Sequence, residues 1–325
     1  MLEGNELCGV ELVQNVARRI LSELRRVIVG KYEIIELMLI SLLSEGNILM
    51  EGVPGVAKTT IAKMFAHATG CEFHRIQFTP DLQPSDITGI YVYDQKKQEF
   101  KYYESPIFAN IVLADEINRA APKTQSAMLE AMEEKTITVE GVSRSLPRPF
   151  MMIATENPIE LEGTYSLPEA QIDRFTFKLA LELPEDEEEL GVLRLKNEQL
   201  SNGMQEGVCK RVSHPEEVLR CIDIVRRVHV EEKVMQYIRD IVMCTRNHED
   251  VLLGASPRGS INLLITSKAR AAMLGRSYVI PDDVKYLAPH VLNHRIILTP
   301  EAELAKVKVE DVIRDVLSTV SIPWS

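Results

Sequence analysis

The stretch Gly52-Val53-Pro54-Gly55-Val56-Ala57-Lys58-Thr59 decides how this chain is to be read. A short apolar run, Ile48–Met50, leads into it. A helical periodicity from Thr59 to Ala68 follows and stops at Gly70. A glycine-rich turn between strand and helix, ending in Lys-Thr, is the setting of a phosphate-binding loop. Backbone N–H groups of such a loop curl around phosphates, and the helix N-terminus adds a favourable dipole. Lys58 is placed to hold the β- and γ-phosphates of ATP. Thr59 is placed to bind Mg²⁺ through its hydroxyl, and Thr60 follows on the same turn. Ala57 stands where such loops usually carry glycine, and a right-handed backbone there would suit alanine.

Outward from the loop, short apolar strands alternate with helices: Ile48–Met50, Phe73–Phe78, Ile111–Ala114, Phe150–Thr155 and Phe175–Leu181. This alternation predicts an α/β fold with a parallel five-stranded sheet. Apolar residues at helical spacing predict two helices before it, separated near Ile28-Val29-Gly30. Two β-hairpins interrupt the alternation. One pairs Tyr91–Tyr93 with Phe100–Tyr102, and the other pairs Thr136–Val139 with Val142–Leu146 across Glu140-Gly141. Composition shifts at Pro184, after which five consecutive acids, residues 185–189, read as the solvated first turn of a helix. The expected division is an α/β nucleotide-binding domain over residues 1–183 and a small all-helical lid over 184–325.

The strand Ile111-Val112-Leu113-Ala114 ends in Asp115-Glu116. Neighbouring residues at a strand end can face metal and water separately. Asp115 therefore fits a ligand that holds Mg²⁺ through water, and Glu116 the base that activates the attacking water. A strand with two terminal acids is common alone. Behind a phosphate loop it predicts hydrolysis.

Composition bounds the alternatives. The chain has 325 residues, 45% hydrophobic and 26% charged, with apolar material enough for a proper core. Its 37 basic and 48 acidic residues give a net charge of −11, which argues against nonspecific nucleic-acid binding. No run is long and apolar enough to span a bilayer, and the acidic N-terminus does not resemble a signal peptide. Five scattered cysteines without a CxxC pattern point to a reduced, cytoplasmic setting. His290 and His294 have metal-pair spacing but no neighbouring acid or cysteine, and read as helix histidines.

The loop EGVPGVAKT, the run LADEINRAAPKTQSAMLEAMEE and the run ATENPIELEGTYSLPEAQIDRF together resemble the MoxR family of AAA+ ATPases, over nearly the whole chain. The resemblance implies further roles. Asn157 matches sensor 1, an amide that orients the water with Glu116. Arg174 matches the arginine finger offered to a neighbouring subunit's nucleotide, with an ion pair to Asp173 or Glu169 as the plain structural alternative. Arg119 is a second interface candidate. Arg258 matches sensor 2, expected to reach back over the nucleotide. Val29-Gly30 matches the segment that packs on adenine. The resemblance also implies a homo-oligomeric ring, hexameric, with the hairpins facing its pore. It implies remodelling or maturation of protein complexes, metal-cofactor insertion included, with a von Willebrand A-domain partner and a protein client. A helicase-like nucleic-acid motor and a nucleotide-gated scaffold are the alternatives. The acidic hairpin tip at Glu140, and the Asp94 and Glu99 that flank Lys96-Lys97 on the other hairpin, look more like protein handling than strand tracking.

Overall fold

A computed structural model describes residues 2–158, 163–201 and 209–323. Part of the third sequence run, residues 159–162, lies outside them, as does the side chain of Cys8. The chain opens with α1 (Leu2–Val27) and α2 (Tyr32–Leu43), then enters β1 (Ile48–Gly52) and α3 (Lys58–Thr69). β2 (Phe73–Gln77) and α4 (Pro84–Thr88) precede the hairpin β3 (Ile90–Asp94) and β4 (Glu99–Tyr103). β5 (Ile111–Asp115) leads through a short 3₁₀ turn into α5 (Pro122–Glu134). The hairpin β6 (Thr136–Val139) and β7 (Val142–Ser145), then β8 (Met151–Glu156), α6 (Glu169–Ile172) and β9 (Phe177–Leu181), complete the α/β part. The remainder comprises α7 (Asp186–Ser201), α8 (Pro215–Arg226), α9 (Glu232–Arg246), β10 (Val251–Leu253), α10 (Pro257–Met273), α11 (Pro281–Leu292), β11 (Ile297–Leu298), α12 (Pro300–Leu304) and α13 (Val309–Thr319). The pair β10–β11 adds a small antiparallel sheet to the helical lid expected from the sequence.

The five central strands run parallel in the order β2-β5-β8-β1-β9. Both faces are covered, so β5 and β8 are nearly continuous apolar runs. Strand parity divides the core. Ile48, Met50, Leu113 and Ile153 face α1–α3, and this cluster continues into the lid helices. Leu49, Val112, Ala114 and Ala154 face α5, whose Met128, Leu129 and Met132 are buried against them. α1 packs on α3 as well as on α8 and α10, tying the phosphate-loop helix to the lid.

The hairpins form as expected. Glu140 and Gly141 both have positive φ (50° and 79°), the primed turn that matches strand twist. Arg144 joins the two hairpins: its guanidinium lies 4.0 Å from the Tyr102 ring centroid and donates to the Tyr91 hydroxyl at 2.9 Å. Among the described residues no helix is long and apolar enough to cross a membrane.

Candidate functional site

All the strands of the central sheet point the same way, so its two ends differ chemically. At the carboxyl end, the loop after β1 delivers Lys58 to the start of α3. Its ammonium donates to the Gly52 carbonyl at 2.6 Å and the Glu156 carbonyl at 3.0 Å, bridging the ends of β1 and β8. A Cβ built on Gly55 (φ 91°) meets nothing within 4 Å, so that side of the loop is open to an anion. Gly52 is glycine for the opposite reason: a Cβ there would lie 2.7 Å from the Leu181 carbonyl oxygen. Ala57 departs from the sequence expectation. It is left-handed (φ 63°, ψ 23°) rather than right-handed, because the chain must turn sharply from loop into helix there. That conformation costs a non-glycine residue about 1–2 kcal/mol.

The acids at the end of β5 meet the same loop. The Thr59 hydroxyl lies 3.4 Å from Asp115 Oδ2. Asp115 is buried, and its Oδ1 accepts the Thr155 hydroxyl at 2.6 Å. Arg75 pairs with Oδ2, with Nε at 2.8 Å and a terminal nitrogen at 2.7 Å. Glu116 is left-handed (φ 57°, ψ 52°), a strain of about 1–3 kcal/mol typical of functional positions. Its N–H donates to Thr155 Oγ1 at 2.8 Å, so one threonine fixes both acids. Its carboxylate accepts Gln77 Nε2 at 2.9 Å and pairs with Arg119 at 3.2 Å. Asn157 is buried immediately after β8, on the strand flanking Asp115 and Glu116.

Arg75, Gln77 and Thr155 were not singled out from the sequence. Arg75 and Gln77 stand two apart on edge strand β2, hence on one face, and Gln77 pairs in register with Asp115. Polar residues at i, i+2 on a strand beside the acidic one are the available signal. Thr155 gives none beyond its place in the ATENP run.

Val29 and Gly30 line a cavity of about 620 Å³ with Tyr32, Ile34, Ala180 and Glu188. Ala180 pairs with Glu51 and Leu181 with Gly52, so the cavity adjoins the phosphate loop. The acidic run is therefore not wholly solvated. Glu188 pairs with Lys31 at 3.1 Å, and that contact holds its carboxyl below the usual range.

Arg174 and Arg258 lie at the other end. The register Ile48↔Phe177 to Gly52↔Leu181 puts the segment before β9 at the amino end of β1. Thr176 donates its N–H to the Asn47 carbonyl at 2.8 Å. Arg174 thus stands on the order of 15 Å from its own phosphate loop, a strand length away. It pairs with Glu133 on α5 at 3.0 Å, not with Asp173 or Glu169. Arg258 pairs with the other oxygen of the same Glu133 carboxylate. Arg258, which the resemblance to sensor 2 expects over the nucleotide, thus stands beside Arg174. The start of α10 packs at the amino end, because the Ser256 hydroxyl that caps it also donates to Asp173 at 2.8 Å.

The model of the ATPase family associated with various cellular activities matches residues 47–177. That of the AAA lid domain matches residues 243–316. The chain is 41% identical over 324 residues to Chaperone MoxR1 of Mycobacterium tuberculosis, covering 97% of this chain and 84% of that one. The chain belongs to the MoxR family of AAA+ ATPases. It is also similar to protein YeaC of Bacillus subtilis, 47% identical over 310 residues and 92% of each chain. A crystal structure from Cytophaga hutchinsonii superposes with a TM-score of 0.90 at 39% identity, covering 99% and 98% of the two chains. Membership makes the chain an ATPase.

The remaining candidates for chemistry are quiet. Burial pushes the Cys71 and Cys209 thiols up to about 11 and Cys221 to about 12, so they stay protonated at neutral pH. The half-buried His294 ring donates to the Phe175 carbonyl at 3.1 Å, and desolvation of the ring holds it neutral. No group of three His, Cys, Asp or Glu side chains among the described residues could hold a metal.

Proposed function

We propose that this chain hydrolyses Mg²⁺-bound ATP at sites shared between subunits of a hexameric ring, and that the ring remodels or matures protein complexes in the cytoplasm. The observation carrying this reading is the separation of the two ends of the sheet. Lys58, Thr59, Asp115, Glu116 and Asn157 gather at the carboxyl end; Arg174 and Arg258 gather at the amino end. One chain cannot bring both sets to one phosphate, whereas a head-to-tail ring joins them at every junction. Residues 1–183 serve as the nucleotide-binding domain and 184–325 as the lid.

The residues fit the implied ligands. Thr59 and Asp115 offer adjacent oxygens, as a hard cation requires. With no fuller ligand set nearby, the metal would arrive with the nucleotide's phosphates. Bound Mg²⁺ supplies charge neutralisation on those phosphates. Lys58 exchanges its two carbonyl partners for phosphate oxygens. Gly52, Val53, Pro54, Gly55, Val56 and Ala57 wrap the anion, and Thr60 continues the first helical turn behind it. Val29 and Gly30 receive the base. Glu116 takes the proton of the attacking water, which Asn157 helps to orient. Arg174 and Arg258 of the adjoining subunit meet the charge that develops on the leaving phosphate.

The chaperone name of the relative MoxR1 supports protein remodelling, and the family resemblance supports a von Willebrand A-domain partner, with metal-cofactor insertion among the outcomes. Titrating single- and double-stranded DNA and RNA into an ATPase assay near physiological salt tests the client class. No change is expected, while a von Willebrand A-domain partner should alter turnover. A several-fold stimulation by nucleic acid that is lost on Lys96→Ala/Lys97→Ala would give first place to a nucleic-acid motor. Both lysines are exposed at a hairpin tip.

A further inference from the structure

Three consecutive lid residues, Asn293, His294 and Arg295, reach out of α11 and bond the segment that carries Arg174. Asn293 Nδ2 donates to the Lys178 carbonyl at 3.1 Å, and His294 to the Phe175 carbonyl. Arg295 does most. It is 5% exposed, and its guanidinium is spent almost wholly on residues 173–176. Nε donates to the Asp173 carboxylate at 2.9 Å. One terminal nitrogen donates to the Asp173 carbonyl at 2.9 Å and to the Phe175 carbonyl. The other donates to the Thr176 carbonyl at 3.3 Å and to Val291.

A buried arginine is costly unless its donors are satisfied, and this one is satisfied by the Asp173 carboxylate together with main-chain carbonyls that need no cation. What a guanidinium adds is shape: a rigid fork that fixes several acceptors at once. The acceptors flank Arg174 on both sides. Asp173 is also held by Ser256, which caps the helix bearing Arg258, and both arginines meet on Glu133. The finger is thereby bound to the lid of its own subunit.

We propose that Arg295 is the positioning residue of Arg174: from the lid it holds the Asp173–Thr176 segment, so that the lid of one subunit sets where the arginine stands at its neighbour's nucleotide. This rests on the reading of Arg174 as acting in trans. The tests are Arg295→Lys, which keeps charge and loses the fork, and Asp173→Asn, which weakens the same tie at a partly exposed residue and leaves the buried core intact. Each should lower kcat about tenfold or more with KM nearly unchanged, since small misplacements of a catalytic group are costly. Each should regain activity when mixed with Glu116→Gln subunits, which lack the base but present a sound finger. Arg174→Ala, mixed in the same way, is the control. If Arg174→Ala is not complemented, the trans reading falls. If it is complemented while Asp173→Asn turns over at the wild-type rate, or loses activity that mixing does not restore, the role of Arg295 falls and the trans reading stands.

Discussion

The two ends of the central sheet are built on different principles. At the carboxyl end, the candidate catalytic groups come in short runs: Lys58 closes the loop that begins at Gly52, and Asp115 and Glu116 are adjacent. Strain is local there, in the left-handed Ala57 and Glu116. At the amino end, Arg174 and Arg258 come from distant segments and meet on Glu133. In the proposed function the carboxyl end is the binding pocket, and the amino end is a delivery surface. On the proposed reading, the difference lets one fold bind nucleotide alone yet need a neighbour to hydrolyse it quickly.

The largest expected effect isolates the binding end. Lys58→Ala should abolish ATP binding, because the remaining main-chain donors face the phosphate charge without an opposing cation. Glu116→Gln should retain binding and lose turnover by about 10³-fold, within the range for removing a general base. Nucleotide-binding fluorescence and phosphate release, measured on both variants, separate the two. Turnover of the Glu116 variant within threefold of wild type, roughly, would remove it as the base.

The next effect tests the delivery end. Arg174→Ala should slow turnover about a hundredfold with affinity largely kept, as for loss of one donor to developing charge. Arg258→Ala should cost less, since Arg174 remains. Turnover per subunit should rise with protein concentration in the wild type. A monomer running at full rate on a sizing column would collapse the distinction between the two ends.

A sequence reading sees one end far better than the other, for a physical reason. Phosphate binding needs a strand, a tight turn and a helix in immediate succession, so Gly52 to Thr59 declares itself within eight positions. The acid pair and the parallel sheet are equally local, the one in residue type and the other in periodicity. Thr155, Arg75 and Gln77 hold those acids from neighbouring strands, and strand order is not written in local pattern. Arg295 is further removed still, separated from Asp173 by 122 positions. Arg258 was legible as an arginine at a helix start, but its side of the sheet followed from the packing of α10. The one local error, Ala57, arose because residue type suggested a backbone that the turn overrides.

A smaller effect probes that hidden support. Thr155→Val keeps shape and removes both the hydroxyl given to Asp115 and the acceptor for the Glu116 N–H. Leaving the buried Asp115 carboxylate and the Glu116 N–H short of a partner should cost about 1–3 kcal/mol of stability. Turnover should fall about tenfold through displacement of Glu116, while binding through Lys58 holds. Thermal melts and steady-state kinetics on one preparation check this. Loss of binding with turnover per bound nucleotide unchanged would mean that Thr155 serves the loop and not the acids.

The smallest effect concerns Ala57, where strain can be relieved without touching either set of catalytic groups. Its left-handed backbone costs about 1–2 kcal/mol because Cβ crowds the following carbonyl. Glycine removes that contact but frees the unfolded chain, giving back about 0.5–1 kcal/mol. Ala57→Gly should therefore gain between about 0 and 1.5 kcal/mol net, which in a chain of this size raises the melting temperature by at most about 3 °C. Affinity for ATP should change little, since the loop N–H groups keep their directions. The amino end should be unaffected, so the dependence of turnover on protein concentration should stay as in the wild type. A fall in melting temperature would show that the strain at Ala57 is smaller than the entropy that glycine returns to the unfolded chain. A rise accompanied by weaker nucleotide binding would show that the alanine stiffens the loop for its ligand, with the strain at the carboxyl end serving function.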